Sequence, residues 1–216
     1  MSVCVALLGG SFDPVHHGHV ALAALFARLL QPDQLRIIPA GNPWQKNSLR
    51  ASGEERVAML KLAFAEAGLA VTIDTQEIAR GTPTYTVDTL RQVRAELGPQ
   101  ASIVFLMGAD QLRQLDTWRE WRALFDLAHI AVAARPGFTL DDATLPVAVA
   151  QELQQRRGDL AQLRNTPSGL AYLTPSLDVD ISATQIRAAL QRGEQANSLI
   201  SPVVLDYIQQ HNLYTS

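Results

Sequence analysis

Gly9-Gly10-Ser11-Phe12-Asp13-Pro14-Val15-His16-His17-Gly18-His19 is the stretch on which the fold turns. Before it lies an unbroken apolar run, Val3 to Leu8; after it, Leu22, Leu25, Phe26, Leu29 and Leu30 recur at helical spacing through Val20 to Leu30. The order is strand, glycine turn, helix. An apolar run without alternation predicts a strand covered on both faces, as in a parallel sheet flanked by helices. At such a junction the N–H groups of the turn and of the first helical turn lack intrahelical partners, and the helix dipole adds partial positive charge. Anions are favoured there, phosphates above all. Gly9 and Gly10 let backbone approach a ligand, Pro14 stiffens the turn, and His16 and His19, three apart, share a helix face. Two imidazoles in that place can donate to phosphate oxygens and to the charge that builds on them during transfer. His17 points off that face. The stretch matches neither G-x-x-x-x-G-K-[ST] nor G-x-G-x-x-G.

Outward from the turn, Pro32-Asp33 interrupts the helix and Leu35 to Pro39 reads as a second strand. Strand, helix, strand predicts an α/β fold, a doubly wound parallel sheet with helices on both faces. Ala70 to Asp74, Ser102 to Met107, His129 to Ala134, Ala171 to Thr174 and Val179 to Ile181 read as further strands. Ser52 and Glu55 fit a capping box opening a helix to about Glu66, and Ser182 with Gln185 fits another. Arg56 reads as a surface charge. Thr84 or Thr86 reads as an N-cap for the helix of Val87, Leu90, Val93 and Leu97, and Asp110 as a cap for the helix after its strand. Gln151 to Arg157 predicts a solvated helix. Ser201-Pro202 opens a last helix in the same capped way, its face of Val204, Tyr207 and Ile208 docking on the body. One domain over 1–216, with a small C-terminal helical part in about 175–216, accounts for the whole chain.

Composition narrows the function. With 47% hydrophobic and 18% charged residues and a net charge of −3, the chain is globular and presents no overall basic field for nucleic acid or an anionic membrane. A polyanionic ligand must be held by local groups. Cys4 is the only cysteine, which excludes an internal disulfide and a cysteine-rich zinc site and suits a reducing compartment. No apolar run reaches about 18 residues, so the expectation is a cytoplasmic protein.

The Gly9–His19 stretch resembles the His-x-Gly-His signature of a nucleotidyltransferase superfamily, and Ile181-Ser182-Ala183-Thr184-Gln185-Ile186-Arg187 resembles its second signature, Ile-Ser-x-Thr-x-x-Arg. Over its whole length the chain is similar to the bacterial nicotinate-nucleotide adenylyltransferases. The resemblance implies a Rossmann-like nucleotidyltransferase fold and adenylyl transfer from ATP to nicotinate mononucleotide, with Mg²⁺ carried by the ATP phosphates and no metal ligand on the protein. It makes His16, His19 and Arg187 catalytic. It assigns ATP to Gly9, Gly10, Ser11, Phe12, His16, His19, Gly108, Asp110, Ile181, Ser182, Thr184 and Arg187. It assigns nicotinate mononucleotide to Lys46, Thr84, Tyr85, Thr86, Trp118 and Arg135, with Trp118 stacking on the pyridine ring and backbone amides near Tyr85-Thr86 receiving the carboxylate. Trp44-Gln45 stands where the family usually has Pro-His, so only Lys46 carries over from that segment; its alternative is an exposed lysine, as a surface arginine is for Arg135. No nucleic-acid or membrane partner is implied, and homo-oligomerisation is left open.

Three other readings share parts of this pattern. A phosphopantetheine adenylyltransferase would carry both signatures but not Tyr85-Thr86 with Trp118. A metal module on His16, His17 and His19 disagrees with the phosphate turn. An inactive nucleotide sensor would have lost the histidines or Arg187.

Overall fold

Cys4, Ala6 and Leu8 join one apolar cluster and Val5 and Leu7 another, all at most 2% exposed, because strand β1 (Cys4–Gly10) sends successive side chains to opposite faces of a sheet with helices on both. The computed structural model describes residues 3–43, 49–134, 145–174, 181–192, 194, 196 and 198–215. In chain order β1 is followed by α1 (His17–Leu30), β2 (Gln34–Pro39), β3 (Asn42–Pro43), α2 (Gly53–Glu66), β4 (Thr72–Ile73), α3 (Gln76–Arg80), β5 (Pro83–Thr84) and α4 (Thr86–Leu97). Then come β6 (Ser102–Gly108), α5 (Ala109–Leu112), two 3₁₀ turns (Leu115–Thr117 and Trp121–Ala123), α6 (Leu124–Leu127), β7 (His129–Ala133), α7 (Val147–Gln155), α8 (Leu160–Asn165), β8 (Ala171–Thr174), α9 (Ala183–Gln191) and α10 (Pro202–Gln210).

Six strands form one sheet in the order β4-β2-β1-β6-β7-β8, and every recorded pairing in it is parallel. The chain winds outward from β1 through β2 to β4, returns across the sheet, and winds outward again from β6. Its switch point lies between β1 and β6, where such sheets leave a crevice at the strands' carboxyl ends. Side chains of α1, α2, α8, α9 and α10 belong to the cluster on one face; those of α4, α5, α6 and α7 belong to the other. The doubly wound reading of the sequence is the observed fold.

Several local expectations hold. Glu55 N–H donates to Ser52 Oγ at 3.2 Å and Ser52 N–H to Glu55 Oε2 at 2.7 Å; Gln185 and Ser182 exchange the same pair of bonds at 3.2 and 2.9 Å. Val204 and Ile208 are buried and Tyr207 packs beside them. Others are corrected. Arg56 is 2% exposed, not a surface charge. The N-cap of α4 is Tyr85, without a side-chain cap bond; Thr84 lies in β5, and Asp110 sits inside the first turn of α5 behind Gly108. Ser201 precedes α10 without capping it, since its hydroxyl has no hydrogen-bond partner among the described residues. The Ala70 to Asp74 strand shrinks to two residues, and the helix around Gln151 runs Val147–Gln155 and is not solvated all round, since Val149 and Leu153 are buried in the core. Of Val179 to Ile181, only Ile181 is described, outside any strand. The small β3–β5 sheet and α8, whose own capping box joins Asp159 to Gln162, were not anticipated.

One arginine ties the second half of the sheet to its helices. Arg94 on α4 donates to the carbonyls of Leu127, Gly98, Ala101 and Pro167 at 2.6 to 3.1 Å. Replacing it by methionine keeps the aliphatic stem but strips those acceptors of their donor, each worth about 1–3 kcal/mol if left dry. With water reaching part of the site, Arg94→Met should lower unfolding free energy in urea by about 2–4 kcal/mol; a change below 0.5 would show that the carbonyls find other partners.

Candidate functional site

A cavity of about 500 Å³ opens at the switch point, well inside the range of small-ligand sites. Three helices of nine residues or more begin on it. Gly18 and His19 line it from the start of α1, Thr86 and Thr89 from that of α4, and Ala183 and Thr184 from that of α9, with the N-caps His16 and Ser182 beside them. Each N-terminus carries roughly half a positive charge. In a chain of net charge −3, this convergence supplies the local attraction for anions that composition withholds.

Of the residues expected at the site, Gly9, Gly10, Ser11, His16, His19, Gly108, Asp110, Ile181, Ser182, Thr184, Thr84, Thr86 and Trp118 line this one cavity. Lys46 and Arg135 lie outside the described residues, as do Trp44 and Gln45. Three others are placed differently. Phe12 is fully buried beneath the turn. The Tyr85 side chain is off the lining, its ring covered by the Arg119 guanidinium 4.9 Å from the centroid. Arg187 points Nη1 at the Asp13 carbonyl, 2.6 Å away, and Nη2 at Thr184 Oγ1 at 3.3 Å, so it braces the turn as well as standing behind the cavity wall.

The two glycines line the cavity, and each also makes room for an aromatic ring. Neither has positive φ, and a Cβ on Gly10 would meet the Phe12 ring at 3.0 Å while one on Gly9 would meet Phe105 at 3.3 Å. They are small because aromatic rings pack against them. Phe12, at φ 48, occupies the left-handed region that a bulky residue enters only when its surroundings hold it there. Its ring meets His19 edge-on at 4.8 Å.

His16 and His19 stack, centroids 3.7 Å apart at 24°. The His16 N–H donates to His19 Nδ1 at 3.3 Å, which assigns the proton of neutral His19 to Nε2. His16 is 8% exposed, and burial, assisted by His17, pulls its pKa from 6.5 to about 4; its Nδ1 is buried without a hydrogen-bond partner among the described residues. His17 is outside the lining, and its N–H donates to the Leu199 carbonyl at 3.0 Å. The predicted division between the histidines is what the helix start produces.

On the far wall Trp118 lines the cavity with Phe105 edge-on at 6.4 Å, and its Nε1 is buried without a partner among the described residues; the other indole of the pair, Trp121, is core. Glu77 lines the same wall and was not read from the sequence. Thr89 Oγ1 donates to it at 2.7 Å, the Thr84 hydroxyl and Gly41 N–H also bond it, and burial raises its pKa. It joins α3, β5, α4 and the loop before β3. Asp110, exposed, pairs with Arg113 at 3.3 Å. No group of three or more His, Cys, Asp or Glu able to hold a metal occurs among the described residues.

The sequence matches the cytidylyltransferase-like family over residues 7–189. A protein of Herminiimonas arsenicoxydans named probable nicotinate-nucleotide adenylyltransferase is 63% identical over 213 residues, covering 99% of this chain and 97% of its own. One of Laribacter hongkongensis with the same name is 48% identical over 216 residues, covering 99% and 96%. Among solved structures, Plasmodium falciparum nicotinic acid mononucleotide adenylyltransferase complexed with NaAD shares the fold, with a TM-score of 0.74 at 21% identity over 98% of this chain and 97% of that one.

The buried His16 has a testable consequence for stability. Unfolding restores its ordinary pKa, so between pH 6.5 and 4 the unfolded chain holds a proton that the native one does not, and stability falls as pH falls through that window. The full difference is roughly 3 kcal/mol at 1.36 kcal/mol per unit. His129, buried and shifted in the same direction, adds to the slope in every variant. Urea unfolding of the unliganded protein and of His16→Asn at pH 4 to 7.5 should therefore show the variant gaining on the parent as pH drops. Parallel curves would mean that His16 keeps its ordinary pKa in the native state.

Proposed function

The chain belongs to the cytidylyltransferase-like family and, within it, to the nicotinate-nucleotide adenylyltransferases, and from that membership we propose that it transfers the adenylyl group of MgATP to the 5′-phosphate of nicotinate mononucleotide, giving nicotinate adenine dinucleotide and pyrophosphate in NAD biosynthesis. The observation that carries this reading is the convergence of three helix N-termini and the stacked His16–His19 pair on one cavity. A cavity so lined suits two ligands rich in phosphate. A cytoplasmic location is part of the proposal, supported by a single, buried cysteine.

The acceptor phosphate is largely ionised at neutral pH and attacks the α-phosphorus directly. The new O–Pα bond forms as the bond from Pα to the β-bridging oxygen breaks, and its electrons leave with pyrophosphate. No protein base or covalent intermediate is needed. Positioning and charge stabilisation remain for the chain to supply. His19, with its proton on Nε2, donates to the oxygens around the α-phosphorus, and His16 gains hydrogen-bond partners for its buried imidazole. The α1 and α9 N-termini hold the triphosphate, with Arg187 behind them. Mg²⁺ carried by the nucleotide would supply charge neutralisation at the phosphates and would need few ligands from the protein. The Asp13 carboxylate offers it nothing, being taken up by three protein donors.

On the acceptor side, the opening of α4 at Thr86 offers backbone N–H groups to a nicotinate carboxylate, and Trp118 offers its ring. Charge-assisted bonds contribute roughly 1.5–3 kcal/mol against about 0.5–1.5 for neutral ones, and the dipole adds about 0.3–1. Purified protein assayed for pyrophosphate release with MgATP and a panel of phosphorylated acceptors should prefer nicotinate mononucleotide, and should discriminate against the amide by about 10- to 100-fold in kcat/KM. Trp118→Ala should weaken both acceptors and leave their ratio nearly unchanged. Preferred turnover of phosphopantetheine, or equal use of acid and amide, would overturn the assignment.

The histidines make a second, independent test. His19→Ala should fold normally and slow turnover by about 10² to 10³, whereas His17→Ala should cost far less. Equal or reversed losses would show that the roles are wrongly divided.

A further inference from the structure

Residues 11–16, between β1 and α1, and His17, which opens α1, are held from outside by bonds that the reaction does not itself require. Arg56 Nη1 donates to the Ser11 carbonyl at 2.9 Å, Arg187 Nη1 to that of Asp13 at 2.6 Å, and the Leu199 carbonyl receives His17 N–H at 3.0 Å. The Asp13 side chain, 2% exposed, accepts Arg50 N–H at 2.8 Å, Ala51 N–H at 3.1 Å and the Tyr214 hydroxyl at 2.7 Å. Tyr214 lies beyond α10, 201 residues from Asp13 in sequence, is 6% exposed and stands in the left-handed region at φ 64. Two non-glycine residues in that conformation, Phe12 and Tyr214, thus flank one buried carboxylate, and both need their surroundings to keep them there.

We propose that Tyr214 is a positioning residue for adenylyl transfer: by donating to the buried Asp13 carboxylate it holds the turn that leads from Ser11 to His16, and so sets where the stacked imidazoles of His16 and His19 stand against the phosphates. The proposal rests on the adenylyl-transfer reading above. Burial and the neighbouring carboxylate push the Tyr214 phenol far up, so it stays a donor at every working pH. Loss of the hydroxyl leaves one Asp13 oxygen with Ala51 N–H alone, and the turn is free to shift by tenths of an ångström. A shift of that size acts on the transition state, where donor distance matters most, and leaves the acceptor wall at Trp118 and Glu77 untouched.

Tyr214→Phe removes only the oxygen. We expect it to remain folded, to lower kcat about 5- to 30-fold with MgATP, and to keep KM for nicotinate mononucleotide within twofold. Tyr207→Phe, on α10 but remote from Asp13 in its contacts, serves as the control for loosening of the C-terminal helix and should match the parent. Because Tyr214 acts through the imidazoles, Tyr214→Phe should cost less than twofold when His19 is already alanine; full multiplication of the two losses would assign Tyr214 to general stability instead. Imidazole ¹H–¹⁵N resonances of His16 and His19 in the unliganded protein give a readout free of any substrate: they should move in Tyr214→Phe and stay in Tyr207→Phe. Unchanged resonances together with unchanged kcat would sink the proposal. Failure of the parent to use nicotinate mononucleotide would instead refute the acceptor assignment, and the same variants would then be compared on whichever acceptor in the panel is used, with the resonances still deciding about Tyr214.

Discussion

The Asp13 carboxylate is 2% exposed and takes hydrogen bonds from two backbone N–H groups of residues 50 and 51 and from the Tyr214 hydroxyl. A carboxylate buried alone costs several kcal/mol, and only a full set of donors offsets that. Meeting the requirement draws the segment before α2 and the segment after α10 onto one turn, and Arg56 and Arg187 close around the same turn through its carbonyls. The left-handed Phe12, whose ring packs against Gly10, immediately precedes Asp13, and His16, the N-cap of α1, comes three residues after it.

The sheet order supplies the other constraint. With β1 and β6 adjacent and their crossovers on opposite faces, a crevice at the switch point is unavoidable, and the helices that leave the strands present N-termini to it. No arginine or lysine is among the described residues that line the cavity, so the helix N-termini, with their backbone dipoles, are what favours anions there in a chain of net charge −3. A neutral imidazole at His16, its pKa pulled below 6.5 by burial, suits such a site. It can donate a hydrogen bond without adding a buried charge.

What the sequence made legible was local or periodic. Cys4 to Leu8 showed its double burial because the run lacks alternation, although Val3 at its start is exposed, and the Ser52–Glu55 and Ser182–Gln185 boxes were readable because both partners lie three residues apart. That His16 and His19 face the same way was readable from their spacing; that their rings stack was not. Arg56 was misread because a lone arginine near a helix start usually faces water, and nothing nearby shows that the Ser11 carbonyl waits for it 45 residues back. Glu77 escaped for the same reason, its partners Thr89 and Thr84 being brought to it by the turn into β5. Two-residue strands such as β3 and β5 carry no period at all. Arg187 was legible as part of a motif, but its bond to the Asp13 carbonyl spans 174 residues and belongs to tertiary structure alone.

The bonds from Leu199 and Tyr214 to the glycine turn also set an order of events during synthesis. Residues 9–19 leave the ribosome among the first of this sequence, and β1, β2 and β4 with α1 and α2 can pair and pack while the rest is still being made. Arg50, Ala51 and Arg56 follow the turn within 45 residues, whereas Arg187 and Tyr214 stand 174 and 201 residues beyond Asp13, so the hold on the turn is completed late. The bonds of Leu199 to His17 and of Tyr214 to Asp13 can form only once the segments on either side of α10 have been made.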